Sequence, residues 1–226
     1  MLLNTNAIVL SAIKFKEHSL IVSCYTKEIG IQSYILHHIF KSKKGKLNPA
    51  YFQLLTQLEI QTDFKQNQSL HKISEVKLKH SYESMHVNIY KSTVAMFLAE
   101  VLQSILKEEE KNIELYNFIE ASLLWFDLNS FNPNFHIAFL LKLCQHLGVY
   151  PDLETLERFF FRHEKNSTNI EILKEILGTD FDGINNIKLN SKIRHDILNE
   201  ILDFFKIHLG DFKKPNSLKI LHDIFN

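Results

Sequence analysis

The chain has 226 residues, long enough for one large domain or two ordinary ones with a real core. Its two cysteines, Cys24 and Cys144, are far apart, which excludes a disulfide framework and reads as two small buried residues in a reducing compartment. No charged, apolar leader opens the sequence and no apolar run approaches the roughly eighteen residues of a membrane span, so a soluble, cytoplasmic protein with no membrane contact is expected. The 26 basic and 26 acidic residues cancel, but unevenly. The first eighty residues hold eleven lysines, no arginine and five acids, a balance of +6, and the remainder holds fifteen basic and twenty-one acidic residues, a balance of −6. A basic segment joined to an acidic one points to an anionic partner for the first, most often nucleic acid.

Short β-branched and aromatic runs separated by polar turns fill the first eighty residues. Ala7 to Ile13 and Ser19 to Thr26 are the first two strands, with the polar corner Lys14-Phe15-Lys16-Glu17-His18 between them. Ile31 to Leu36 follows a tight connection in which Gly30 can take the positive φ of a hairpin turn. After the run Lys41-Ser42-Lys43-Lys44-Gly45-Lys46, alternation over Phe52 to Ile60 places Phe52, Leu54, Thr56, Leu58 and Ile60 on one face, with Gln53, Gln57 and Glu59 on the other. Leu70 to Leu78 is the fifth strand, and five strands so spaced predict an antiparallel barrel of the OB type.

Beyond His80 the period changes to about 3.6. Helices are predicted over Val87 to Leu106, Ile113 to Phe126, Phe135 to Leu147, Ile170 to Leu177, Ser191 to Leu209 and Ser217 to Phe225. Acids at Glu108, Glu109 and Glu110 favour the start of the second, Asn132 and Pro133 suit the start of the third, and Gly148 and Gly210 suit helix ends. The segment Asp152 to Asn169 is the least regular. The fold class is therefore α+β, an OB-type barrel over 1–80 followed by an all-α domain over 81–226.

Lysines and aromatics gather where an oligonucleotide-binding barrel needs them. Lys41, Lys43, Lys44 and Lys46 lie beside Tyr51 and Phe52 and near the corner bearing Lys14 and Lys16, offering cations to phosphates and rings to bases. Without arginine there is no bidentate base reading, so non-specific backbone binding is the inference. Metal chemistry finds no support: His37 and His38 fall on alternating faces of a strand, Cys144 and His146 are about 200° apart on a helix, and neither pair has a second half. No phosphate loop, nucleophile elbow or perturbed carboxylate pair marks an enzyme, and Cys144 among Leu140, Leu141, Leu143 and Leu147 reads as core. No cofactor or catalytic residue is assigned.

In their order these features resemble the RecO family, the bacterial recombination mediators of DNA repair. The likeness rests on the opening strand Ala7-Ile8-Val9-Leu10, the corner Lys16-Glu17-His18-Ser19-Leu20, the strand end and turn Tyr25-Thr26-Lys27-Glu28-Ile29-Gly30, and the basic segment before Pro49-Ala50-Tyr51-Phe52. It continues in Leu147-Gly148-Val149-Tyr150-Pro151, in His208-Leu209-Gly210 and in Asn216-Ser217-Leu218-Lys219-Ile220-Leu221. The resemblance implies binding to single- and double-stranded DNA, annealing of complementary strands, loading of RecA together with RecR, and contact with single-stranded-DNA-binding protein. The rival reading is a protein adaptor whose helical domain carries the function. Two departures stand out. Many members bind zinc through four cysteines after the Leu-Gly-aromatic-Pro element, where Asp152 to Asn169 has none and Phe159, Phe160 and Phe161 must supply packing instead. Many also carry arginines, thought to meet the acidic tail of single-stranded-DNA-binding protein, where this chain has His136, Ile137 and Ala138.

A closed structural zinc site takes four ligands, and that segment offers no cysteine. Elemental analysis of the purified protein is expected to show no stoichiometric zinc, and a chelator to leave it folded. One zinc per chain with unfolding by chelator is the contrary result.

Overall fold

The computed structural model describes residues 2–40, 47–106, 111–149 and 167–225. The lysine run 41–46, the acidic turn 107–110 and most of the irregular segment, 150–166, lie outside the described residues. The chain forms two compact units, Met1–Leu128 and Asn129–Asn226.

In the first unit, strands β1 (Leu2–Phe15), β2 (Ser19–Thr26), β3 (Gly30–Leu36), β4 (Gln57–Asp63) and β5 (Ile73–Leu78) make one antiparallel sheet in the order β3-β2-β1-β4-β5. Period-two alternation builds it: Ala7, Val9, Val22, Cys24, Tyr34, Leu36, Leu58 and Ile60 turn to one side and form the core. Strand β1 serves two partners because a bulge between Val9 and Ser11 bends it, so that its first half pairs with β4 and its second half with β2. Gly30, at φ 65°, makes the expected hairpin turn. Among the described residues the ladder does not close into a barrel. A single parallel bridge between Tyr34 and His71 ties β3 to the chain just ahead of β5, with His71 N–H donating to Ser33 O and Ile35 N–H to His71 O, both at 2.9 Å. The sheet is thus of the expected OB type, curled and bridged.

The fourth strand differs from its predicted bounds. Pro49–Phe52 is a 3-10 turn capped by Asn48, Leu55 takes a left-handed φ of 61°, and the strand begins only at Gln57. Gln57 is fully buried, not polar surface, because its amide donates to Glu120 O at 2.8 Å. The fifth strand begins at Ile73 rather than Leu70.

Two helices belong to this unit: α1 (Ile89–Ile105), capped by Asn88, and α2 (Ile113–Leu128). By packing, therefore, the first unit ends after α2, whereas the change of texture predicts a boundary at residue 80. Tyr25 packs its ring 5.7 Å from that of Tyr116 and donates to Asn112 O, Lys79 pairs with Glu120 at 2.6 Å, and Gln103 reaches Ser11. The connection into α1 is clamped by Asp127, only 3 % exposed, whose carboxylate accepts the N–H groups of Glu83, Ser84 and Met85 at 2.9, 2.8 and 2.7 Å. Buried Lys91 donates to Ser84 Oγ and to Asp127 O, with its ammonium 5.5 Å from the Phe126 ring centroid.

The second unit contains α3 (Phe135–His146), α4 (Ser167–Gly178), a 3-10 turn at Gly183–Asn186, α5 (Ser191–His208) and α6 (Leu218–Phe225). Helix α3 is its spine, buried from Phe135 to Leu141 and again at Leu143 and Cys144. It begins after Asn134 rather than Asn132; Asn132 accepts from Asn134 N–H at 2.7 Å instead. Buried amides hold the far side, Asn132 bonding Asn185 and Asn134 bonding Ile187 O, while Arg194 donates to Asn134 and Leu189 O. Gly148 ends α3 at φ 69°.

Burial opposes the charge of Asp127, but the three N–H donors outweigh it and hold the carboxyl below its ordinary value. The stability it gives is therefore present above about pH 4 and is lost as the pH falls through its folded value. Asp127→Ala is expected to lower unfolding free energy at pH 7 by about 3 kcal/mol in urea titrations, with the deficit shrinking below about pH 4. A deficit independent of pH is the contrary result.

Candidate nucleic-acid interface

One end of the sheet carries Lys14, Lys16 and the two attachments of the lysine run. The register puts Lys14, Leu20 and Leu36 in one row, so the β1–β2 corner and the exit of β3 lie at the same edge. From that exit the chain passes through exposed Phe40 into the lysine run, and it returns at Leu47, which packs with Tyr51 and Ala12 against the core. Both attachments of the run thus lie near Lys14 and Lys16, themselves exposed. The Lys16 ammonium sits 5.4 Å from the Phe15 ring centroid. Lys41, Lys43, Lys44 and Lys46 fall outside the described residues. Tyr51, expected to stack on bases, is half-buried with its ring engaged on the core.

The outer face of the sheet is divided. Ile8, Tyr25 and Gln57 lie in register on it and are sealed beneath the helices, and burial pushes the Tyr25 phenol up to about 12. Farther along, Ser11, Ser23 and Ser33 form one row and Ile13, Ile21 and Ile35 the next. This part stays open: Ile13 is 64 % exposed and Phe15 39 %. Alternation marks these positions as outward, but sequence reasoning missed them because an isoleucine in a strand reads as core. On the β1–β4–β5 side the same face is a polar groove of about 370 Å³ lined by Asn4, Asn6, Glu28, Glu59, Gln61, Glu75 and Lys77. Three carboxylates against one lysine make it a poor place for phosphate.

Not every lysine of the basic segment is free to bind DNA. Lys79 is engaged by Glu120, Lys65 lies 4.0 Å from Asp63, and Lys27 sits 6.0 Å from the Tyr116 ring centroid. In the second unit His136, Ile137 and Ala138 are all core residues, and burial, with Arg194 and His222 adding to it, pushes the His136 imidazole down to about 3. The Cys144 thiol is buried and pushed up to about 12, which suits packing rather than nucleophilic chemistry. His37 and His38 sit in a turn, not a strand, with rings 6.4 Å apart, and among the described residues no group of three or more His, Cys, Asp or Glu is placed to hold a metal. No helix among the described residues is long and apolar enough to cross a membrane.

The family model described as Recombination protein O N terminal matches residues 1–82, and that described as Recombination protein O C terminal matches residues 86–155. The chain is 37 % identical over its full length and theirs to proteins named DNA repair protein RecO from Christiangramia forsetii and Flavobacterium psychrophilum. A third such protein, from Flavobacterium johnsoniae, is 38 % identical over the whole of both chains. With two family models and full-length relatives in agreement, the chain belongs to the RecO family of DNA repair proteins.

Proposed function

We propose that the chain is a cytoplasmic, non-enzymatic mediator of recombination. It binds single- and double-stranded DNA through the lysine-bearing end of its sheet, anneals complementary strands, and assists RecA loading together with RecR. The convergence of Lys14, Lys16 and both attachments of the lysine run on one edge is the observation that carries this reading. Lysines that neutralise phosphate release counterions and lower the repulsion between two strands, which is the physical requirement of annealing. Contact with single-stranded-DNA-binding protein belongs to the same proposal, but not through the positions of His136, Ile137 and Ala138, which are buried.

The test is Lys43→Ala/Lys44→Ala in the full chain. Each phosphate contact contributes about 0.7 to 0.9 to the slope of log affinity against log salt, so the double variant should bind every sequence more weakly and with a flatter slope. Annealing is expected to fall while RecR co-purification is retained. Unchanged affinity and slope remove the lysine run from the mechanism, and loss of RecR with annealing intact favours the adaptor reading.

A further inference from the structure

We infer that the C-terminal helix α6 is an acid-released latch, seated on α3 and α5 by histidines that hold it while they are neutral and free it when they take up protons. The helix has only eight residues, Leu218–Phe225. A helix so short is not stable alone in water, so it keeps its form through its seat. Its inward stripe is Leu218, Leu221, His222 and Phe225, an i, i+3, i+4, i+7 pattern with a titratable ring where an apolar side chain would pack at no electrostatic cost. Leu221 is fully buried, and the Phe225 ring stacks on Phe131 and on His136 at centroid distances of 5.6 and 5.8 Å. The connection from α5 is held separately, by Phe212 with its ring 5.6 Å from that of Phe205 and by Lys214 paired with Asp203 at 2.8 Å. Undocking is therefore confined to α6.

Basic groups from all three helices meet beneath the latch. His136 of α3, Arg194 and His195 of α5 and His222 of α6 line one cavity of about 20 Å³, room for about a single water. The His195 and His222 ring centroids lie 3.6 Å apart. Among the described residues that line the cavity none is acidic, and Arg194 donates to Asn134 and to Leu189 O, neutral oxygens that leave its charge uncancelled. The carboxylate that acts on His222 is its exposed chain neighbour Asp223, where water screens it. A proton on His222 thus lands against a second imidazole, in a space too small to hydrate it. Burial and His195 hold the His222 imidazole below its ordinary value against the opposing pull of Asp223, and burial, Arg194 and His222 push His136 down to about 3. Once released into water, His222 returns to an ordinary value of about 6.5. Above that pH neither form carries the proton and the latch is fully seated. As the pH falls below about 6.5 the released form takes up a proton that the seated form refuses, so docking weakens by about tenfold per pH unit for each histidine kept neutral in the seat.

The experiment follows amide hydrogen exchange of the full-length protein from about pH 7.5 to about pH 5.5, corrected for the intrinsic pH dependence of exchange, and compares peptides of α6 with peptides of α5 and α1. In the wild type the protection of α6 is expected to fall about tenfold over that range, while α5 and α1 stay within about twofold. His222→Gln, uncharged at every pH, is expected to shrink the fall in α6 to about threefold or less. Protection of α6 that does not change with pH in the wild type overturns the inference, and so does an equal fall in the variant. Protection lost together in α6, α5 and α1 marks general acid unfolding and overturns it as well. Should His222→Gln leave α6 unprotected already at about pH 7.5, His195→Gln, which removes the ring lying against His222, is expected to keep the helix seated and to reduce the fall. An undiminished fall in that second variant overturns the inference.

Discussion

Three consecutive backbone N–H groups converging on the Asp127 carboxylate decide how the sheet and the first two helices are joined. Asp127 lies near the end of α2, yet it binds the segment that leads into α1, so the clamp ties the start of one helix to the end of the next. Lys91 closes the arrangement by donating to Ser84 and to the Asp127 carbonyl. A buried carboxylate with an ammonium nearby is tolerable only when nearly every polar atom has a partner, and here the partners are backbone groups that a coil would leave to water. The same helices carry Tyr116 and Glu120, which reach Tyr25, Gln57 and Lys79.

From that clamp follows the division of the outer sheet face. The helices cover the row of Ile8, Tyr25 and Gln57 and stop short of the row of Ile13, Ile21 and Ile35. The bulge at Val9 and Ser11 keeps the parity right on both sides, since without the extra Leu10 the outward and inward sets of β1 would exchange. Sheet curvature and helix placement thus leave the open end of the face beside the lysine corner. Polar and acidic side chains occupy the remaining outer face.

Where local pattern and tertiary context agree, the sequence is legible. Strand β2 runs from Ser19 to Thr26 as alternation predicts, and Gly30, Gly148 and Gly210 all take the positive φ their positions suggest. The miss at Phe52 to Thr56 has a definite cause. Alternating side chains there continue through a 3-10 turn and a left-handed Leu55 whose carbonyl accepts from Tyr82, and a turn pinned from residue 82 leaves no mark in a window of nine. Gln57 looks polar and outward until α2 supplies an acceptor from residue 120. The change of period suggests a boundary at residue 80, but α1 and α2 pack in the same compact unit as the sheet, because burial follows Tyr25 and Gln57 rather than texture. At the candidate site, Lys14 and Lys16 were visible as charge, whereas Phe15 and the isoleucine row required the strand register.

The absence of arginine from the first eighty residues bears on how such a surface can work. An arginine fork binds phosphate or guanine bidentately and fixes register, while a lysine ammonium is a hydrated point charge that contacts any phosphate and releases it readily. Strand annealing needs this second behaviour, because two strands must slide past mismatched registers before the correct one is trapped by base pairing. In the proposed function, grip on the backbone and tolerance of sequence are one property, set by lysine in place of arginine throughout the basic segment.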